Sequence, residues 1–404
     1  MDFELDDDQL ELQRVARDVV GRECPPSLVR AAVDGSDDGD GFWKTLVALD
    51  WPSLTVPADD GGMEATAVEL VIVLEELGAV ADPTPFLATT SQYVALVREC
   101  GDAGQRHELL AAVCKGAIGT VAFAPHAVTA ERDGDGWRID GVARHVLDGD
   151  RAAEIAVVAA TGEADGDNMA GRAATAGGVG VFVVPAANVT VTRQVSFDGA
   201  LHLAEVRLDG VRVAADRALR GDDFAAGVAR ARQEAVTGLA AVMVGASRRM
   251  LDLVLAHVQE RRQFGVPIGS FQAVKHMAVD MYVAIERARA LVHFAALAIA
   301  EDDPPPDPAL PPYVDSASPR QLPVGSRRAL AASMAKAAAG DAQRIAIQHG
   351  IQLFGGLGAT WENDLQLFVR RAKAGELLLG GSAEHRARVA RSVFDTQRAA
   401  EAVA

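Results

Sequence analysis

From Phe224 to Phe264 the chain holds a single helical hydrophobic rhythm with no proline to break it. At 1.5 Å per residue such a helix would be roughly 60 Å long, several times the usual length. A rod like that must be packed along its whole flank. Ala240, Ala241, Gly245 and Ala246 give it a small-residue stripe where another helix can approach closely. The last part of the chain is therefore expected to be a bundle of long antiparallel helices.

The rod runs into an unusual corner, "ERRQFGVPIGSFQAVKH", residues 260–276. The first helix is expected to end at Gly265, because Pro267 cannot continue it. Ser270 is expected to cap a second helix running to about Ala300, with Phe271, Val274, Ala278 and Met281 on its buried face. Arg261, Arg262 and Gln263 then lie where one helix stops and the next starts. Two readings are open. Cations at a helix C-terminus are favourable without any ligand. Alternatively, arginine forks beside a helix N-terminus make a site for a pyrophosphate.

The chain divides into three zones. Residues 1–118 read as helical: Asp6, Asp7 and Asp8 cap a helix carrying Leu10, Leu12, Val15 and Val19, and Gly61-Gly62, Pro83 and Pro85 punctuate the remainder of the zone. Residues 119–218 change to short strands, "WRIDGVARHVL", "EIAVVAA", "GVGVFVVP" and "LHLAEVRLDGVRV", expected as a small antiparallel sandwich or barrel. The stretch 161–178 reads as an exposed hairpin or loop. Residues 219–404 return to helix, interrupted by a proline-rich stretch at 301–325 that reads as a solvated loop. Two further helices are expected to flank Gly355-Gly356-Leu357-Gly358. The fold class is thus α+β: an N-terminal helical domain, a central antiparallel β-domain and a C-terminal long-helix bundle.

The 404 residues carry a formal net charge of -17. That disfavours a nucleic-acid partner, which needs a basic face, but leaves room for an anionic small ligand in an arginine-lined pocket. Cys24, Cys100 and Cys114 follow no metal spacing and cannot all pair, which fits a reduced, cytoplasmic setting. The N-terminal stretch lacks an apolar signal core, and no run reaches the roughly 20 apolar residues of a membrane span. No GxGxxG follows a strand and no GxxxxGK[ST] occurs, so a nicotinamide or P-loop site has no support.

The corner, together with "IQLFGGLGATWENDLQLFVRRAKAGELL" and "WKTLVALDWPSLTVPADDGGMEATAVELVIVLEELG", resembles the acyl-CoA dehydrogenase family, and the zone order agrees over nearly the full length. The resemblance implies FAD at the junction of β-domain and bundle, with a neighbouring subunit gripping its pyrophosphate. It implies that Arg261 holds the pyrophosphate, that Phe264 and Gln272 line the nucleotide portion, and that Gln352, Gly355 and Gly356 close around the adenosine half across a subunit interface. It also implies α,β-dehydrogenation of an acyl-CoA thioester. A carboxylate takes the α-proton and the β-hydrogen leaves as hydride to FAD. A soluble tetramer working in lipid metabolism, as in fatty-acid β-oxidation, is the family's usual setting.

This sequence departs from the family's pattern in two places. The usual glutamate base falls on Leu379, followed by Gly380, Gly381 and Ser382. A smaller branch of the family puts the base on the long helix. The matching place is Ala235, and Glu234 is adjacent, about 100° away around the helix. Glu234 is the best candidate base; its plain reading is a solvated or ion-paired glutamate near Arg230. Glu376 and Glu384 flank the lost position and read as surface carboxylates. The second departure lies in the β-domain. "AFAPHAVTAERDGDGW" replaces the small-residue run that meets the flavin, and "RHVLDGD" replaces the strand beside the flavin ring. His126 and His145 are either substitutes in a changed pocket or surface histidines. Three readings are open: a homo-oligomeric enzyme with a relocated base, a base-deficient subunit that completes the flavin site of a related dehydrogenase chain in a hetero-oligomer, or a flavin-binding relative with different chemistry.

Overall fold

The computed structural model describes residues 5–161, 178–221, 224–302 and 326–403. The expected loop at 161–178 and the proline-rich stretch 301–325 fall almost wholly outside these residues.

Helix α1 (Asp7–Glu23) starts at Asp6, whose carboxylate takes the Gln9 N–H while the Gln9 side chain accepts from the Asp6 N–H. It buries Ala16, Val19 and Val20; the expected core residue Leu10 is half exposed. Next come α2 (Pro26–Asp34), α3 (Asp40–Ala48) and α4 (Ala67–Gly78), the last begun by a Thr66–Glu69 capping box. The buried run Phe86–Cys100 is helical but not uniform. It passes through α5 (Phe86–Ala88), a π-helical stretch at Thr89–Val94, and α6 (Ala95–Cys100). Helix α7 (Ala103–Cys114) closes the zone.

Seven strands come next: β1 (Gly119–Phe123), β2 (Val128–Asp133), β3 (Gly136–Leu147), β4 (Glu154–Thr161), β5 (Val179–Pro185), β6 (Thr190–Gln194) and β7 (Leu203–Val213). They form one sheet in the order β1-β4-β2-β3-β7-β6, with β5 also paired to β4. The sheet is mixed rather than wholly antiparallel, since β4 runs parallel to β1 and to β2. The reason is legible in β4 itself. Its run Ile155–Ala159 is buried without alternation, the signature of a strand covered on both faces.

Helix α8 (Phe224–Glu260) is the long rod, 37 residues. It stops short of Gly265. Strands β8 (Arg262–Gln263) and β9 (Val266–Pro267) make a small hairpin, turned by Phe264 (φ 54°) and Gly265 (φ 83°). Ser270 is not the cap of the next helix. It ends a 3-10 turn, and its hydroxyl donates to the Pro267 carbonyl at 2.7 Å. Helix α9 (Gln272–Asp302) therefore starts two residues later. Of its expected core face Met281 is fully buried, Val274 and Ala278 are half-buried, and Phe271 is exposed. Then come α10 (Ser326–Phe354), α11 (Leu365–Leu377) and α12 (Ser382–Val403).

The contacts divide the chain into two compact units. One gathers Met1–Ala31, Thr66–Asp82 and Gln233–Ala404; the other is Ala32–Ala65 with Pro83–Arg232. In the first, α4 lies against α8 backbone to backbone. A Cβ on Gly245 would stand 1.9 Å from the Glu75 carbonyl oxygen, and one on Gly78 would stand 2.2 Å from that of Val242. Around this crossing Glu75 and Glu76 are buried in a web of cations. Arg248 bonds both (2.7 Å to Glu75, 2.5 Å to Glu76), Arg289 reaches Glu75 at 3.2 Å, and Arg17 reaches Glu76 at 3.0 Å. Burial alone would raise the Glu75 carboxyl, but His293, Arg289 and Arg248 hold it below its ordinary value. In the second unit the sheet buries Ile139, Ile155, Val157, Phe182 and Val184 on one side.

Gly245→Ala should cost about 2 kcal/mol or more, read as a lower urea midpoint, because the two backbones must part. Gly21→Ala in α1, where an added Cβ meets nothing within 4 Å, should be neutral or stabilise by up to ~1 kcal/mol. Equal effects at both positions would refute the close crossing.

Candidate functional site

The hairpin at the end of α8 is a hydrogen-bonded, exposed corner. Arg262 is paired with Pro267 and Gln263 with Val266, and the Ile268 N–H donates to the Arg261 carbonyl at 2.8 Å. Arg261, Arg262, Gln263 and Gln272 are exposed, and Phe264 at the tip is 92% exposed. Among the described residues neither the Arg261 nor the Arg262 guanidinium makes a hydrogen bond or salt bridge. Their donors are therefore open to an anion. Beside the hairpin lies a cavity of about 310 Å³, walled by Leu255, Val258, Pro267, Val274 and Ala278 with Lys275 at its edge.

The glycine segment lies next to this corner. Helix α10 ends at Phe354, and Gly355–Ala359 continue as a 3-10 turn. The His257 ring, in the last turn of α8, stacks on Phe354 with centroids 4.3 Å apart and planes 15° from parallel. Burial and then the Arg261 charge push His257 below its ordinary value, which favours the neutral ring. Gly355 needs its φ of 62°. Gly356 has no such need, and an added Cβ there meets nothing within 4 Å, so its bare backbone is open to approach. Gln352 is exposed one turn earlier. The stack thus brings Arg261, Gln352, Gly355 and Gly356 to one end of the bundle.

Leu379 sits in the turn between α11 and α12 with φ 56°, followed by Gly380 at φ 103°. Two buried side chains hold this turn by its carbonyls. Lys336 of α10, fully buried, donates to the Glu376 carbonyl (3.2 Å) and the Gly380 carbonyl (2.9 Å). His385 of α12 reaches the Leu379 carbonyl through Nε2 at 3.1 Å and the Ser333 hydroxyl through Nδ1 at 3.3 Å. Burial pulls Lys336 down to about 8, against the opposing pull of Glu376 and Glu384. Burial likewise pulls His385 down to about 4. The turn is braced, yet residue 379 has no proton to take or give.

Glu234 lies on α8 and is 2% exposed, so it is not the solvated carboxylate of the plain reading. Arg230 makes its short contact with Glu99, at 2.6 Å. Glu376 pairs with Lys373 at 2.8 Å and Glu384 with Arg388 at 2.5 Å, as expected of surface carboxylates. His126 and His145 are both exposed, and His145 takes φ 57° with its N–H on the Gln194 side chain at 3.1 Å. The histidine built into the second unit is a different one, His202, which sequence reasoning missed. It is 4% exposed, its Nδ1 stands 2.8 Å from Asp150, and its carbonyl accepts the Asp148 N–H at 2.8 Å. Asp148 is bonded to Arg151, which also donates to the Pro83 carbonyl at 2.9 Å. The available signal was a histidine inside an apolar strand run, "LHLAEV".

Comparisons with known proteins bear on the family and the fold. Residues 6–117 match the model of the acyl-CoA dehydrogenase N-terminal domain, and residues 233–394 match that of its C-terminal domain. The acyl-CoA dehydrogenase IpdE2 of Mycolicibacterium smegmatis is 30% identical over 95% of this chain and 98% of its own. Among solved structures, the ChsE4-ChsE5 complex from Mycobacterium tuberculosis superposes with a TM-score of 0.83 at 23% identity, covering 98% of this chain and 99% of that one. The Tcur3481-Tcur3483 steroid ACAD gives 0.80 at 26% identity, covering 97% and 99%.

The braced turn makes stability depend on pH at both ends. Lys336 binds its proton less tightly folded (about 8) than unfolded (10.5), so stability should rise as pH goes from about 8 towards 9, above which the buried Cys24 thiol and then Tyr93, both raised by burial, oppose it. His385, about 4 folded against 6.5 unfolded, should cost stability as pH falls from 6.5 towards 4. Urea midpoints across pH should show both slopes. Lys336→Met should abolish the alkaline slope and His385→Gln should flatten the acid one; unchanged slopes would show that these groups are not the buried titrating ones.

Proposed function

This chain belongs to the acyl-CoA dehydrogenase family, and on that footing we propose that it serves FAD-dependent α,β-dehydrogenation of an acyl-CoA thioester as the base-deficient subunit of a hetero-oligomer, completing a flavin site with a related chain. FAD is the family's cofactor, and bound FAD supplies the hydride acceptor. The remaining roles fall to side chains. Arg261 offers a planar fork of charge-assisted donors to the diphosphate. Phe264 and Gln272 lie along the nucleotide from the hairpin and the first turn of α9. Gln352 and the bare backbone of Gly355 and Gly356 take the adenosine half. The unclaimed guanidinium and the open glycine backbone fit that ligand.

The observation that carries the reading is Leu379. The turn where the family keeps its base is fully braced by Lys336 and His385, and its side chain cannot abstract a proton. The carboxylate must then come from elsewhere. A second chain is one source, and two structural relatives carry paired chain names. The exposed apolar residues around the corner, Phe264, Val266, Phe271, Val279, Tyr282 and Val283, suit burial against such a chain. The second reading is a homo-oligomeric enzyme with Glu234 as base, favoured by that residue's burial on α8. For the acyl group, the steroid relative speaks for a bulky thioester over the straight chains of fatty-acid β-oxidation. We place the assembly, a tetramer, in the cytoplasm; no disulfide joins Cys24, Cys100 or Cys114 among the described residues, and no helix among the described residues is long and apolar enough to cross a membrane.

Expressed alone, the chain should come off the column colourless or nearly so; co-expressed with a related dehydrogenase chain it should be yellow and bleach on anaerobic acyl-CoA addition. Arg261→Met should lower flavin content of the complex at least roughly tenfold, and Glu234→Gln should leave bleaching unchanged. A solo preparation that is yellow, bleaches, and loses bleaching with Glu234→Gln would establish the homo-oligomeric enzyme instead.

A further inference from the structure

We propose that a second cavity, bounded by α1, α4, α8 and α11 of the first unit, binds a small amphipathic monocarboxylate. Its volume is about 600 Å³, within the range of small-molecule sites. It shares no residue with the hairpin, the glycine segment or the Leu379 turn.

The apolar wall is Val20, Pro25, Val80, Leu367 and Phe368. Cys24 belongs to that wall as well: burial and then Asp82 push its thiol far up, so it stays neutral and inert. The charged part of the lining is Arg17, Arg248, Arg249, Glu76 and Asp252, three cations against two acids in a chain of net charge -17.

These five groups are not equally committed. Glu76 is buried and both its oxygens are taken, Oε1 by Arg17 and Arg248 at 3.0 Å each, Oε2 by Arg248 at 2.5 Å. Arg248 is fully engaged between Glu76 and Glu75. The Arg17 side chain stays 58% exposed with Glu76 as its only hydrogen-bond partner among the described residues. Arg249 is half-buried and makes no hydrogen bond or salt bridge among the described residues. Asp252, one turn on, feels Arg248, Arg249 and Arg17, but its own burial outweighs them and raises its carboxyl towards the neutral form. The uncommitted donors in this lining are therefore the fork of Arg249 and the outward N–H groups of Arg17. A carboxylate head satisfies a guanidinium fork in two parallel bonds, and an alkyl or ring body covers the apolar lining.

The test is calorimetric titration of the purified full chain with sodium octanoate. Saturable one-to-one binding is expected, weakened at least roughly tenfold in Arg249→Met and less in Arg249→Lys, which keeps the charge without the fork. Octan-1-ol should not saturate. Because Arg249 makes no hydrogen bond or salt bridge among the described residues, Arg249→Met should melt close to the wild type; should it melt early, Arg249→Lys against the wild type carries the comparison. No saturable octanoate binding, equal binding by both variants, or octan-1-ol binding as tightly would overturn the site.

Discussion

The crossing of α4 over α8 sets the geometry on which the rest of the first unit depends. Two glycines let the backbones touch, and the carboxylates carried into that contact, Glu75 and Glu76, would be prohibitive to bury alone. Arg248, Arg289 and Arg17 make them tolerable. Such a web is poor evidence of net stability but strong evidence of fixed position, since removing one member strands a buried charge at a cost of about 3–5 kcal/mol. The element it fixes is the rod. Helix α8 carries Glu234 near one end and feeds the arginine hairpin at the other, so the α4 contact sets the placement of both.

The two ends of the proposed chemistry are built very differently. At the hairpin the backbone is hydrogen-bonded and the side chains are uncommitted. At residue 379 the backbone is held by two buried cationizable groups and the side chain is chemically silent. A leucine in left-handed conformation costs about 1–2 kcal/mol relative to an ordinary one, and the bracing by Lys336 and His385 is what sustains it. A braced turn whose side chain carries no acid is what the proposed base-deficient subunit calls for.

Much of this was legible in the sequence, for physical reasons that also mark where reading fails. The long rod announced itself because 37 residues of one period have few alternatives, and Gly245 proved to be the close-contact position its size suggested. The hairpin was misread as a helix continuing to Gly265, since a two-residue strand pair leaves no periodic trace. Ser270 was misread as a cap because its hydroxyl turns back to Pro267 instead of forward. The π-helical stretch Thr89–Val94 was invisible: every residue in it is buried, so no face alternates. His202 was overlooked because a histidine among strand residues gives no spacing signal; only the folded register brings it to Asp150. The brace of Lys336 on the 376–380 turn joins positions about forty residues apart that share no motif.

Helix α9 carries exposed apolar side chains that the proposed assembly would cover. Val279, Tyr282 and Val283 stand three and four residues apart, on one side of the helix. That oily strip belongs to a polypeptide carrying seventeen excess negative charges. Bringing two identical copies together concentrates like charge, whereas a less acidic companion avoids that repulsion. With a Debye length of about 8 Å at physiological ionic strength, added salt screens that repulsion, so in the proposed hetero-oligomer the bias against self-association would be strongest in dilute buffer.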